Sequence, residues 1–124
     1  MPDSWDIQQI SERYSAAWAN CDLDTVCALL APNAVLHDPV DNPAREGVEA
    51  IRAYFEAALP VMRGHRLSGP VYTSGDGRHA VAPIEFVVDL GRGLEVYENV
   101  DVFTLDDEGR IVTIDADYHP PPTG

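Results

Sequence analysis

The chain is poor in positive charge and in cysteine and has no long apolar run, and each shortage closes off a class of function. Eight Lys and Arg stand against 21 Asp and Glu, a formal net charge of −13 at pH 7. A surface of that sign repels phosphate backbones and anionic lipid headgroups, so neither nucleic acid nor a membrane is an expected partner. No apolar stretch approaches the ~20 residues of a membrane span, and the opening MPDSWDIQQI lacks the basic start and apolar run of a secretory signal. The expected location is cytoplasmic. The only cysteines are Cys21 and Cys27. Along a helix they would stand about 9 Å apart, too far for an unstrained disulfide, and they match no metal-ligand spacing. They read as reduced structural thiols, and no metal or cofactor is implied.

What is present is enough for one domain. A chain of 124 residues buries roughly two-thirds of its unfolded surface, so a single core needs no covalent staple. The expected domain runs over residues 1–118, followed by a loose Pro-rich tail at 119–124, HPPPTG, that cannot extend a ladder. The first half has helical periodicity. Asp3 or Ser4 can cap a helix whose apolar stripe is Ile7, Ile10, Tyr14, Ala17 and Trp18, which turns Tyr14 inward. Leu23 to Leu30 repeats the pattern with Asp22 or Asp24 as cap and Pro32-Asn33 as stop. Ala34-Val35-Leu36 reads as a strand, and a third helix follows Gly47 with Val48, Ile51, Tyr54 or Phe55, and Ala58 or Leu59 on one side.

Near His65 the period changes from 3.6 to 2. Leu67–Thr73, Ala80–Leu90, Leu94–Leu105 and Arg110–Tyr118 read as strands joined by the turn signals SGDGR, GRG and DDEG, hence antiparallel hairpins. Pro83 inside the second of these predicts an edge or a bulge. Helices first and sheet second make the fold class α+β. In the third strand Val96, Val100 and Val102 share one face, and Tyr97, Asn99, Asp101, Phe103 and Leu105 share the other. Both faces are partly apolar, so helices are expected on one and a second copy on the other, a homodimer.

The stretch LHDPVDNPAREG places Asp38 directly after an apolar strand and before Pro39. A carboxylate there is either a turn residue facing water or a group wanted at a cavity mouth. If Asp101 faces the same cavity, burial raises its pKa and can keep it protonated, so that it donates a hydrogen bond. The inward Tyr14 phenol donates too, and an ionised Asp38 accepts a proton. One base and two acidic donors in an apolar pocket suit proton abstraction beside a carbonyl, with the donors holding the enolate oxygen. On spacing alone each residue also has a plainer reading: Tyr14 as core with a satisfied hydroxyl, Asp38 as a turn residue, Asp101 as a solvated or paired edge residue.

At these positions the sequence resembles the bacterial ketosteroid isomerases, or steroid Δ5-isomerases, of the nuclear-transport-factor-2-like, SnoaL-like fold group. The family pattern of an inward Tyr in the first helix, ALFA-x-x-A-x-x-x-DPVG and G-x-x-A-I-R-x-F/Y is met by Tyr14, by ALLAPNAVLHDPV over 28–40 and by GVEAIRAYF over 47–55. The late D-x-F-x-F motif and its G-K/R-V/I-V strand look like DVFTL at 101–105 and GRIV at 109–112. The likeness spans nearly the whole chain, is strongest over 12–59 and 99–118, and is vague between 60 and 95. The helix-one Tyr and A-I-R occur across the fold group; Tyr14, Asp38 and Asp101 together mark the isomerases. The resemblance implies a cone-shaped, curved antiparallel sheet with three N-terminal helices. It further implies a cofactor-free reaction in which Asp38 carries a proton from C4 to C6 of a 3-oxo-Δ5-steroid, while Tyr14 and protonated Asp101 form the oxyanion hole. The neutral-acid role of Asp101 is the family's known device and comes with the resemblance. Phe103, Phe55, Phe86 and Tyr118 would line the pocket for a small apolar ketone such as a steroid.

Two departures stand out. Phe55 occupies the place of a family Tyr that hydrogen-bonds behind the oxyanion Tyr, and Tyr54 is turned about 100° from it on the helix. Asp41 replaces the usual Gly after Val40, adding negative charge near the base. The competing readings are a SnoaL-like polyketide cyclase, an epoxide hydrolase on the same fold, and a non-catalytic module for a lipophilic ligand. The hydrolases need an Arg between two Asp, and neither Arg45 nor Arg52 is so placed. A binder gains nothing from two buried carboxyls. His65, His79 and His119 receive no role and read as surface or locally paired.

Overall fold

Among the described residues three helices and seven strands follow one another in the order α1 (Ile7–Ala19), α2 (Leu23–Ala28), β1 (Leu30–His37), β2 (Arg45–Glu46), α3 (Val48–Ala58), β3 (Met62–Leu67), β4 (Tyr72–Thr73), β5 (His79–Asp89), β6 (Leu94–Leu105) and β7 (Ile111–His119). The computed structural model describes residues 6–39 and 42–119. Asp3, Ser4, Val40, Asp41 and the tail beyond His119 lie outside them. Among the described residues no helix is long and apolar enough to cross a membrane.

The helices form where local signals and burial agree. Asp6 caps α1: its carboxylate accepts from the Gln9 backbone N–H at 2.9 Å, and its own N–H donates to Gln9 Oε1 at 3.1 Å. This reciprocal box satisfies two orphan donors and contributes about 1 kcal/mol. The predicted stripe of Ile7, Ile10, Tyr14, Ala17 and Trp18 is buried as a set. Asp22 caps α2 through the Thr25 N–H at 3.1 Å. This helix stops at Ala28, sooner than expected, because Leu30 already pairs with Ile111 in the sheet; Pro32 lies within β1, not at a helix end. Ile51 and Phe55 are the residues that α3 buries. Cys21 is an exposed turn residue at φ 55° and Cys27 is half-buried; both are free thiols, but neither is a core residue.

The sheet order is β2-β1-β7-β6-β5-β3, with β4 also paired to β5. Its hairpins are antiparallel as expected, but the sheet is mixed, since β1 runs parallel to β7 with Leu36 beside Ile114. The expected strand Leu67–Thr73 is two pieces: β3 ends at Leu67 and β4 begins at Tyr72, both against β5. Pro83 falls at the seam between them. No bulge forms there, because the β5–β6 register is unbroken from His79↔Thr104 to Asp89↔Leu94. The Pro83 carbonyl accepts from Ser68 N–H at 2.9 Å on the seam side, so the missing proline N–H costs no bond to β6. The ladder also continues through His119, opposite Glu98, one residue into what reads as the tail.

All three helices cover one face of this curved sheet. Along β6 the alternation is clean: Asn99, Asp101, Phe103 and Leu105 are buried beneath the helices, while Val96 and Val100 are exposed on the far face.

Candidate active site

Between the helices and the inner face of the sheet lies a mostly apolar cavity of about 230 Å³, partly open to solvent. Tyr14, Asp38 and Asp101, brought from α1, from the residue after β1 and from the middle of β6, all line it. Phe55, Phe86 and Tyr118 line it too. Phe103 does not. It is fully buried behind Tyr14, ring edge to face with centroids 5.0 Å apart, and acts as a backstop for the phenol.

The three polar groups differ in solvation. Asp101 is buried between cross-strand neighbours that carry no polar side chain, Ala82 on β5 and Ala116 on β7. Burial pushes its pKa up to about 7; the Asn99 hydrogen bond opposes this, and the nearby Asp38 charge adds to it. A good part of the Asp101 population is therefore neutral near pH 7 and able to donate. Asp38 is half-buried at the cavity edge, its pKa raised to about 6 by loss of water and held back by the Arg45 guanidinium. It is ionised at neutral pH and basic enough to take a proton. Tyr14 is raised well above its ordinary value, first by burial and then by the Asp101 charge, with a hydrogen bond from Trp18 opposing. It stays a phenol, a donor at any working pH.

Tyr54 ties the base to α3. Its hydroxyl donates to the Asp38 backbone carbonyl at 3.2 Å, and Arg45 lies over its ring at 4.1 Å. Asp38 is thereby held through its backbone. Phe55 instead packs edge-on against Trp18 at 4.9 Å. The place of the Tyr expected from the resemblance is thus filled by an apolar contact.

Several wall residues were missed from sequence. His65 lies in β3 and faces the cavity, stacked on Trp18 at 5.9 Å and hydrogen-bonded through Nδ1 to Ser15 Oγ at 2.8 Å. It is not a surface residue: burial lowers its pKa to about 4, so it is a neutral imidazole. The β-bulge between Met62 and Gly64 shifts the register just before it, which hides its facing from a period-2 reading. Trp18 and Asn99 were legible. Trp18 follows Tyr14 by one helical turn, and Asn99 precedes Asp101 by two strand positions, so each must share its neighbour's face. Tyr97 stacks on Phe86 at 5.1 Å and adds a further ring to the wall.

The arrangement can remove a proton from carbon or oxygen at Asp38 while two neutral donors hold a developing oxyanion. The SnoaL-like domain family model matches residues 11–114. This chain belongs to the SnoaL-like domain family. A steroid Delta-isomerase of Nocardioides simplex is 29% identical over 117 residues, covering 94% of this chain and 93% of that protein. Among solved structures, SalBIII, described as an epoxide hydrolase/cyclase-like enzyme in pyran ring formation in polyether salinomycin, superposes with a TM-score of 0.77. It is 26% identical, and the match covers 86% of this chain and 84% of SalBIII. Both relatives are named for enzymatic activities, one an isomerase and one epoxide hydrolase/cyclase-like.

Proposed function

We propose that the protein is a cofactor-free steroid Δ5-isomerase. The observation that carries this reading is the pairing, on one apolar cavity, of an ionised carboxylate at its edge with a neutral carboxylic acid and a phenol in its depth. The substrate ketone oxygen sits against Tyr14 and Asp101. Asp38 takes a proton from C4, the electron pair moves onto the oxygen as a dienolate, and the two donors stabilise it as charge develops. Asp38 then delivers the proton to C6, the double bond settles at 4,5, and the base is regenerated. The chain contains no lysine, so no ε-amine of this chain is available to form a Schiff base with the ketone. Aromatic walls from Phe86, Tyr97 and Tyr118 suit a flat apolar body.

The test is the rise of conjugated-enone ultraviolet absorbance when the purified protein meets a 3-oxo-Δ5-steroid. Fast turnover in the wild type, lost in Asp38→Asn and Asp101→Leu, supports the reading. A rate no greater than buffer overturns it. The second reading, a polyketide cyclase, is favoured by the likeness to SalBIII: Asp38 would take the proton of a hydroxyl as its oxygen adds to a double bond conjugated to a carbonyl in the same molecule, the π pair moving to the carbonyl oxygen and Asp101 giving its proton to the enolate that forms. A hydroxylated polyketide-like substrate that cyclises while the steroid stays unchanged would favour it.

The valine-lined outer face, with Val81 paired to Val102 and Val96 to Val87 through the β5–β6 ladder, supports assembly as a homodimer. Light scattering of the wild type against Val100→Glu tests that: a dimer that the charge splits is the expected result.

A further inference from the structure

Asn99 sits two residues before Asp101 on the same inner face of β6, and both side chains are buried. Its amide nitrogen donates to Asp101 Oδ1 at 3.1 Å. Its own Oδ1 is buried with no hydrogen-bond partner among the described residues. An apolar residue of similar size would avoid that orphan oxygen, so the amide is explained by what its nitrogen does. A neutral carboxyl has one accepting and one protonated oxygen. With Oδ1 taken up as the acceptor from Asn99, the proton belongs on Oδ2. Were the amide rotated by half a turn, its oxygen would face Asp101, accept that proton and withdraw it from a substrate.

We infer that Asn99 is the positioning residue of the oxyanion hole, selecting which oxygen of Asp101 carries the proton and holding that donor free for the ligand. This inference rests on the proposed reading of Asp101 as a neutral donor. The titratable groups on the cavity wall with Asp101 are Tyr14, Asp38, Tyr54, His65, Tyr97 and Tyr118. Only Asp38 is charged near neutral pH, and its charge favours the protonated form of Asp101. Asn99 acts in the opposite sense, because its N–H stabilises the anion more than the acid. Two effects of removing it follow: a proton no longer confined to one oxygen, and an Asp101 that holds its proton to higher pH.

The experiment reads the neutral carboxyl C=O band of the whole protein by infrared difference spectroscopy as pH is raised, with Asp101→Asn identifying the band. In Asn99→Val its titration midpoint rises by about one unit, and the alkaline limb of kcat/KM on the steroid moves up with it. Asn99→Ser, which keeps a hydroxyl donor and disturbs packing differently, falls between wild type and Asn99→Val. A side chain that merely fills space would lower activity without moving either midpoint upward. An Asp101 band whose midpoint is unmoved or lowered in both variants overturns the role of Asn99 alone. A wild type with no band lost on Asp101→Asn overturns the neutral-donor reading of the site, and with it the proton that Asn99 places.

Discussion

Asp38 and Asp101 are one residue type in two regions of a single cavity, and the sheet gives them different chemistry. Asp38 stands beyond the end of β1, one strand in from the β2 edge, half-buried and under the influence of Arg45. Asp101 lies in the middle of β6, a central strand, with Ala82 and Ala116 beside it and the helices above. The first loses enough water to raise its pKa to about 6 and keeps its charge at neutral pH. The second loses more, and keeps its proton up to about pH 7. Position in the sheet, more than residue identity, separates the two carboxyls, and the small alanines matter because a polar side chain at either cross-strand position would add to the anion-stabilising hydrogen bond that Asn99 already gives.

The sharpest way to break the contrast is to remove the base. Asp38→Asn is expected to lower kcat on a 3-oxo-Δ5-steroid by ~10²–10⁴-fold while a steroid product still binds, measured by enone absorbance and by fluorescence quenching of the cavity aromatics. A smaller loss is expected at the other region. Asp101→Leu costs ~10²–10³-fold, and Asp101→Asn costs less, because an amide still donates. Equal losses in the two Asp101 variants would show that donation by a neutral group is not what the site uses.

Stability provides a third comparison. Asp101 has a folded pKa of about 7 against ~3.9 in the unfolded chain, so between these values the native state binds more protons than the unfolded one. Its contribution to stability therefore falls as pH rises through that window. His65, held neutral by burial down to about 4, contributes the opposite slope between there and ~6.5. Because Asp101→Asn leaves His65 in place, the Tm difference between wild type and variant isolates the carboxyl: the variant gains on the wild type as pH goes from about 5 to about 8. The smallest effect is expected from Arg45→Gln. The acid limb of the kcat/KM profile, near 6, moves up by roughly a few tenths of a unit, since Arg45 holds Asp38 down from a position in solvent.

Much of this was readable before any coordinates. The α1 stripe placed Tyr14 inward, and strand parity placed Asn99, Asp101 and Phe103 on one face, because both are consequences of fixed backbone periods. The same parity could not say that Phe103 lies behind Tyr14 and not on the wall, since depth within a face depends on the helix above it. The parallel β1–β7 pair left no local mark, as its two strands meet only through tertiary contact. His65 and the β3–β4 break were hidden by a bulge and by a seam, where the period that sequence reading relies on is interrupted.

That parallel pair also governs when the site exists. His37 meets Asp115 at 2.9 Å across 78 residues of sequence, and β1, whose end carries Asp38, has only the two-residue β2 on its other side. Closing so long a loop is entropically costly and slow relative to forming the helices or the β5–β6 hairpin. Without β7, Asp38 would keep its tether to α3 through the Tyr54 hydroxyl, but its strand would have only β2 beside it. A cut in the turn between β6 and β7 that frees β7 is therefore expected to loosen the Asp38 end of the cavity before the Tyr14 end.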